Sequence, residues 1–597
     1  MRTRRSAWLP RRAAPSLAAP TLALTLALAV ALGACSGGGQ HSVLLVTLDT
    51  TRAEALGVYG NPHPVTPNLD RLAAEGVLFE QAYSVAPLTL PAHASMLTGL
   101  VPPRHGVRDN GLAALPRSAV TLAERAHEAG FQTAAFLGSV VLDEGFGLEQ
   151  GFERYEAPAR SFYNGPSLGY AERPAAEVAK LAAAWLHARD PERPFFLWAH
   201  FWDAHAPYAP APDMKARAGN NDYLGEVAAC DAALGKLLAA LRAEGLDDST
   251  LVVVVADHGE AFGEHGELSH GPFVWNTTLR VPLVLRLPEG RRAGERVGSV
   301  ASVVDVYPTA LAAMGIAPGV GEGGAALDGL SLLEDEPGPR RGAYFESYYG
   351  YLNFGWHPLA GWVEPRGKFL HAPAPRFYEL AHDPKEEHDL AGERGGLMGE
   401  ARAALAELAA RPVLARDAES LDPELKRSLQ AVGYAAFASE GAELPAPLSA
   451  LALPDPHERT QELADVQRAV GLLDGAKYAE AETLLHAIVA RNPDNLYGWD
   501  RLALCLMRMD RHREAIAPLE RVLAGAPGNA DTWSYLAACR LVVGEEEQAL
   551  AAFTRALELD PNHVQALGGL VHLMEDAGLG KEAASFKQRF EAVQARP

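Results

Sequence analysis

Cysteine is scarce in this chain: four in 597 residues, Cys35, Cys230, Cys505 and Cys539, too few and too scattered to build a disulfide framework. Positive charge is also in deficit. Lysine and arginine total 53 against 75 acidic residues, which excludes the broad cationic footprint of a nucleic-acid binder. The acidic balance is diffuse and serves solubility. Long apolar runs are missing after residue 32, so no later segment offers the roughly twenty apolar residues that a membrane-spanning helix needs.

The amino terminus has what the rest lacks. Arg2, Arg4, Arg5, Arg11 and Arg12 precede an apolar stretch from Thr21 to Leu32, followed by Leu32-Gly33-Ala34-Cys35 and Ser36-Gly37-Gly38-Gly39. A basic start, an apolar core and a small-residue ending mark a secretory signal. Leu32 to Cys35 resembles a bacterial lipobox, which implies cleavage before Cys35 and lipidation of that cysteine. The other reading is an ordinary signal peptide with an incidental cysteine. Residues 1–34 are expected to be the leader, and 35–40 the lipidated cysteine with its glycine-rich linker. The protein is then expected to be extracytoplasmic and lipid-anchored to a bacterial membrane, on the periplasmic side where two membranes exist.

Three apolar runs organise the first half. Ser42-Val43-Leu44-Leu45-Val46-Thr47-Leu48 has no alternation and is too short for a helix, so it reads as a strand buried on both faces of a parallel sheet. Asp49 closes it. Leu251-Val252-Val253-Val254-Val255 reads the same way and hands over to Ala256-Asp257-His258-Gly259, while Phe195-Phe196-Leu197-Trp198-Ala199 leads into His200, Asp203 and His205. Ligands of open α/β sheets lie outside the carboxyl ends of the strands, where all three runs place acids and imidazoles.

The segment Pro87-Leu88-Thr89-Leu90-Pro91-Ala92-His93 opens a short helix that stops at Gly99. Thr89 at its start either caps the helix or faces a phosphoryl or sulfuryl group drawn by free amides and the helix dipole. Asp49, Asp257 and His258 decide between these. Two carboxylates and an imidazole suit a divalent cation, leaving room for the threonine oxygen itself. A neutral threonine is a poor nucleophile, and coordination favours its alkoxide by the physics that lowers the pKa of bound water from about 15.7 to about 7. Calcium, manganese and zinc all suit these ligands.

The carboxyl-terminal part repeats. Pro493, Pro527 and Pro561 recur every 34 residues, as do Trp499 with Trp533, and Ala481, Ala515, Ala549 and Ala583. This period and the pattern around Trp533, Leu536, Ala549 and Phe553 resemble the tetratricopeptide repeat. An all-α solenoid of four helix pairs is expected over residues 458–597, with Cys505 and Cys539 as equivalent packing positions. Such an array presents a surface to a protein or peptide partner, or serves as a structural cap. Residues 437–457, rich in Pro and Ala, read as a linker, and a helical stretch near 421–434 is expected to pack on the domain before it.

The ordered motifs identify a family. Residues 41 to about 415 resemble the sulfatase branch of the alkaline phosphatase superfamily. The likeness rests on Asp49-Thr50-Thr51-Arg52, Gly57-Val58-Tyr59-Gly60, Thr66-Pro67-Asn68-Leu69-Asp70, the Thr89 helix and His105-Gly106-Val107-Arg108-Asp109-Asn110. It continues through His205-Ala206-Pro207-Tyr208, Asp257-His258-Gly259-Glu260, His270-Gly271, Leu279-Arg280-Val281-Pro282, Val304-Asp305-Val306-Tyr307-Pro308-Thr309 and Phe377-Tyr378-Glu379-Leu380. The resemblance implies an α/β/α sandwich over 41–436, with Asp49, Asp257 and His258 as metal ligands and Thr89 as covalent nucleophile and fourth ligand. Sulfatases that use formylglycine carry Cys or Ser where Thr89 stands, and threonine cannot be oxidised to that aldehyde because its β-carbon bears a methyl group. Thr50 replaces a second ligating Asp, His93 replaces an Arg, and His270 stands where many sulfatases have Lys.

A Thr nucleophile with His270 instead resembles the phosphodiesterase, nucleotide pyrophosphatase and phosphoethanolamine-transferase members, in some of which an Asn at the place of Asn110 holds a phosphoryl oxygen. The expected substrate is therefore a phosphate ester ahead of a sulfate ester. Thr89, His205, His270, His93 and Asn110 are the catalytic candidates. His205 and His270 would bind substrate, protonate the leaving group or hold a second metal; His93 either faces the reaction or packs beside it; His200 stands behind a ligand. Arg52 and Arg108 either meet substrate oxygens or form structural ion pairs. Two alternatives remain: a transferase that moves a headgroup to lipid or glycan, and a catalytically dead scaffold that works through its repeats. Specificity is assigned to loops 155–170 and 348–357, the second rich in aromatic residues that stack on a sugar or base, or simply pack.

Overall fold

The computed structural model describes residues 40–158, 172–318, 326–333, 342–417, 421, 422, 425, 437 and 443–594. The leader with Cys35, most of loop 155–170 and most of the stretch 421–434 lie outside the described residues. Among those described, no helix is long and apolar enough to cross a membrane.

The three apolar runs become neighbours. Strands β1 (Ser42–Leu48), β2 (Val77–Tyr83), β3 (Gln132–Leu137), β4 (Arg154–Glu156), β5 (Phe195–Phe201), β6 (Thr250–Ala256), β7 (Arg280–Arg286) and β8 (Glu295–Ser302) form a sheet ordered β4-β3-β5-β1-β6-β7-β2-β8. The run containing Asp49 pairs in parallel with both other runs, Leu48 standing opposite Phe201 on one side and Ala256 on the other. Every residue of β1, β5 and β6 is buried, which is why these strands read as unbroken apolar runs. Only β7 runs antiparallel to its neighbours. The register then fixes chemistry: Asp49 and Asp257, each one residue past paired strand ends, emerge side by side.

Helices cover both faces. Helices α1 (Pro67–Ala74), α4 (Ala175–Ala188) and α5 (Asp222–Ala243) pack together on one side, and α2 (Thr89–Thr98), α3 (Leu122–Glu128) and α6 (Val306–Ala313) on the other, giving the expected sandwich. The Thr66 to Asp70 motif proves to be scaffolding. Asp231 on α5 accepts the backbone N–H groups of Asn68 and Leu69 at the start of α1, and Asp70 accepts that of Val58. A second, antiparallel sheet follows, ordered β12-β11-β10-β9 from Ala343–Ser347 (β9), Leu359–Glu364 (β10), Gly367–His371 (β11) and Arg376–Tyr378 (β12). Helix α7 (Tyr349–Phe354) links β9 to β10, and α8 (Gly395–Ala409) packs on β10 and β11.

Eight helices make the repeats: α9 (Thr460–Asp474), α10 (Tyr478–Arg491), α11 (Leu496–Arg508), α12 (His512–Gly525), α13 (Ala530–Val542), α14 (Glu546–Leu559), α15 (Val564–Asp576) and α16 (Gly580–Gln594). The period has a physical basis. Pro493 and Pro527 sit in turns where no helical donor is lost, and the indole N–H groups of Trp499 and Trp533 donate to their carbonyls, each at 2.9 Å. Asn495 and Asn529 cap α11 and α13 by accepting from Gly498 and Thr532; His563 does the same for α15 through Nδ1. Cys505 and Cys539 are both buried and unbridged.

The repeats are not tethered loosely. Phe273, Trp275, Phe354, Trp356 and Leu359 of the first domain share one apolar core with Leu463, Val466, Leu485, Ile488 and Val489 of the first repeat pair. Asn492 donates to the Phe354 carbonyl at 2.8 Å. The connecting passage is also packed: Pro445 O accepts from Tyr348 OH and from Arg108, and Pro454 O accepts from His357 N–H. Of the two readings of the aromatic segment 348–357, packing therefore describes Tyr348, Phe354 and Trp356, all buried. Leu421 and Leu425 lie in the main core of the first domain.

Candidate metal and nucleophile site

Asp49 and Asp257 leave their strands beside the first turn of α2. Asp257 Oδ1 accepts two backbone N–H groups, from His258 at 2.7 Å and from Thr50 at 3.2 Å. This orients the carboxylate and leaves Oδ2 buried without a partner. Thr50 holds a positive φ of 44°, and its hydroxyl is tied to Ala204 O at 2.6 Å, so the residue replacing an expected acid works here as a backbone fixture. Asp49 keeps Oδ1 buried and unpartnered, with Oδ2 3.3 Å from His200 Nε2.

The imidazole tautomers follow from their partners. His258 Nδ1 lies 2.9 Å from Gly259 O, which can only accept, so Nδ1 carries the proton and Nε2 presents its lone pair. Burial, assisted by neighbouring His270, lowers the His258 pKa to about 4 and keeps the ring neutral. Trp198 Nε1–H donates to Thr47 Oγ1, which frees that hydroxyl to donate to His200 Nδ1. His200 Nε2–H then faces Asp49. His200 thus stands behind Asp49, one of the candidate ligands.

Asp49, Asp257 and His258 offer two carboxylate oxygens and one imidazole nitrogen within 4.8 Å of one another. Burial first, then the charges of Asp257 and Glu260, push the Asp49 carboxyl well above its ordinary range. Two buried acids with unpartnered oxygens and a neutral imidazole lone pair fit a divalent cation, which satisfies all three and removes the repulsion.

Thr89 points at this cluster. Its Oγ1 is 3.5 Å from Asp49 Oδ2 and 3.4 Å from His258 Nε2, and the residue is fully buried. The capping reading fails because Leu88 is the N-cap and no side chain caps there. The free amides expected at this helix start are largely engaged: Leu90 N–H donates to Asn110 Oδ1 at 2.9 Å, Pro91 has none, and Ala92 N–H bonds Leu88 O. Asn110 Nδ2, buried and unpartnered, is a spare donor at this helix start.

The remaining candidates fall on two sides. His93 lies beneath the cluster: Nδ1 donates to Thr89 O at 2.8 Å and is 3.8 Å from Asp257 Oδ2, while the ring tilts against Trp198 and meets His200 edge-on. His205 and His270 form a chain of rings outward from His258, with centroids 4.5 Å apart for His258 and His270 and 5.2 Å for His270 and His205. Trp202 stacks on His205 at 3.9 Å. Burial, then His270, holds the His205 pKa well below the ordinary histidine range. Arg52 and Arg108 take the ion-pair reading: Arg52 reaches Glu264 at 2.7 Å, and Arg108 forks onto Glu346 beneath the Tyr348 ring.

Sequence reasoning missed Glu260. Its Oε1 lies 3.0 Å from His270 Nδ1, and its Oε2 accepts from Tyr208 OH at 2.9 Å, so it anchors two active-site walls. The residue stood in plain view beside His258, but its link to His270 needs the folded loop between them.

One neighbour links the site to acid stability. His105 Nδ1 accepts Val107 N–H at 3.1 Å, so its protonated Nε2 faces Ser95 Oγ on α2 at 2.9 Å. Burial first, then the charges of Arg108 and Arg104, lower its pKa from 6.5 to about 3. Between these values the unfolded chain binds the proton that the fold refuses. The contribution of His105 is therefore complete above pH 6.5 and falls by about 1.4 kcal/mol for each pH unit below it. Urea midpoints of wild type and His105→Asn, compared at pH 7 and pH 5, should converge as pH drops; parallel curves would contradict this account.

With this geometry in place, likeness to known proteins gives a class. Residues 41–316 match the Sulfatase family, and residues 472–539 the Tetratricopeptide repeat family. The chain is 29% identical over 372 residues to N-acetylgalactosamine-6-sulfatase of Canis lupus familiaris, spanning 54% of this chain and 70% of that one. It is 30% identical over 383 residues to arylsulfatase A of Bos taurus, spanning 55% and 74%. The fold matches the crystal structure of phosphonate monoester hydrolase of Agrobacterium radiobacter with a TM-score of 0.50 at 23% identity, covering 62% of this chain and 95% of that chain. The protein belongs to the sulfatase family, and it carries tetratricopeptide repeats behind the sulfatase domain.

Proposed function

We propose that the protein is a metal-dependent hydrolase of phosphorus esters that uses Thr89 as its nucleophile. One observation carries this reading: a buried, non-capping threonine hydroxyl sits within 3.5 Å of both Asp49 and His258, whose free valences converge with that of Asp257. Asp49, Asp257, His258 and Thr89 would hold the cation, which supplies Lewis-acid activation of the hydroxyl and screens charge on the transferring group.

The chain's own residues account for the remaining roles. Thr89 Oγ1 gives up its hydroxyl proton to solvent and forms a bond to phosphorus in line as the ester oxygen departs, and Asn110 Nδ2 donates to an oxygen of the group in transit. His205 and His270 line the same side of the site, and His270, whose Nδ1 lies 3.0 Å from Glu260 Oε1, is the residue placed to hand a proton to the leaving oxygen. Water then attacks the phospho-threonine, and the threonine oxygen leaves. His93 holds the Thr89 carbonyl and so fixes the first turn of α2.

The test is a panel of aryl phosphate mono- and diesters, phosphonates and sulfates, each assayed with calcium, manganese and zinc after chelator treatment. Phosphorus esters are expected to exceed the sulfate in kcat/KM by at least about tenfold, and chelation to abolish turnover. A preference for sulfate would overturn the phosphorus assignment. We also infer, from the leader and Leu32 to Cys35, an extracytoplasmic protein anchored through Cys35; Cys35→Ser should move it from the membrane to the soluble fraction, and an unchanged distribution would refute the anchor.

A further inference from the structure

The second repeat pair reaches toward the wall of the candidate site through α11. A Cβ built on Gly271, next to His270, would meet the Tyr349 ring at 3.2 Å. Tyr349 stands edge-on to Phe354 at 5.8 Å, Phe354 stands at 90° to Tyr497 on α11 at 6.1 Å, and the Arg501 guanidinium lies over the Tyr497 ring at 4.9 Å. A strip of ring contacts therefore runs from the His270 side of the site onto the helical array.

The strip is incomplete as a purely structural contact. A guanidinium has five N–H donors; among the described residues Arg501 has Asp500 at 2.8 Å, and its Nε is buried without a partner. Its side chain is nevertheless 27% exposed, and Tyr349 and Tyr497 are each only partly buried. Aromatic faces beside a part-exposed guanidinium suit a flat ring that carries a negative group.

We propose that Tyr349, Tyr497 and Arg501 form a subsite for the leaving-group side of the substrate, taking a ring that bears a second anionic group beyond the scissile ester. This rests on the hydrolase reading above, and it makes the repeat array part of substrate recognition. Tyr349 and Tyr497 supply the ring contact, and Arg501 the anion contact.

Binding and turnover separate the two claims. Full-length protein carrying Thr89→Ala is titrated calorimetrically with 1-naphthyl methylphosphonate, with and without a sulfonate on the distal ring. The sulfonated compound is expected to bind about tenfold tighter, the worth of one charge-assisted contact. Arg501→Leu should abolish that difference, while Arg501→Lys, which keeps the charge but loses the planar contact with Tyr497, should keep the sulfonated compound the tighter binder by a smaller factor. With Thr89 intact, Arg501→Leu should raise KM for the sulfonated ester alone and leave kcat unchanged. Equal affinity for the two compounds, or an Arg501→Leu effect falling equally on both, overturns the subsite. An affinity difference that persists while no phosphorus ester is turned over would instead sink the hydrolase reading.

Discussion

Thr89→Ala is expected to lower kcat for every phosphorus ester by about ten-thousandfold or more, the scale seen when a covalent nucleophile is removed. The fold should scarcely notice. The hydroxyl makes only long contacts, at 3.4 and 3.5 Å, and caps nothing, so the loss in stability should stay near the ~1 kcal/mol typical of a single substitution. Thr89→Ser keeps the oxygen and should remain within about tenfold of wild type, because the helix start and the ligand cluster are unaltered. The decisive readout is a phosphorylated tryptic peptide containing residue 89 after acid quench during turnover. Its presence in wild type and absence in Thr89→Ala is the expected pair of results. Substantial turnover by the alanine variant would exclude a threonine nucleophile outright.

The second large effect concerns the repeats. A chain ended at residue 457 should be poorly soluble, because it uncovers Phe273, Trp275, Phe354, Trp356 and Leu359, which the first repeat pair helps to bury. Burying such a side chain stabilises by about 2 kcal/mol, so five amount to roughly 10 kcal/mol. Assigning half of that to the repeats gives roughly 5 kcal/mol, comparable with the whole ~5–15 kcal/mol that holds a native protein folded. Loss of the Asn492 to Phe354 hydrogen bond adds to it. The full chain should correspondingly melt with the catalytic domain and first repeats in one transition, followed by scanning calorimetry. A truncated protein that is soluble, melts at the full-length temperature and keeps its activity would show that the shared core is dispensable.

Much of this was legible beforehand, for identifiable reasons. Strands buried on both faces must be apolar throughout, so β1, β5 and β6 announced themselves, and the acids at their ends marked the site. The repeats were legible because each helix pair meets the same packing problem 34 residues later, as the indole of Trp499 and that of Trp533 show by bonding equivalent proline carbonyls. What escaped was everything that depends on long-range closure. Glu260 finds His270 and Tyr208 only through loop geometry, and Asn110 occupies the Leu90 amide only because two distant segments meet. The antiparallel sheet of β9 to β12 and its union with the first repeats were equally invisible, since β-pairing and apolar docking leave no local spacing to read. The aromatic segment 348–357 illustrates the ambiguity: the same residue types serve a binding face or a core, and burial alone separates the two.

The way α2 begins has a bearing on how such enzymes change their chemistry. Leu88 occupies the cap and Asn110 takes the first inner amide, so residue 89 has no part in starting its helix. A position freed of folding duty answers to the reaction alone. On the proposed reading, an exchange of one nucleophilic side chain for another at residue 89 can be tolerated without rebuilding the scaffold.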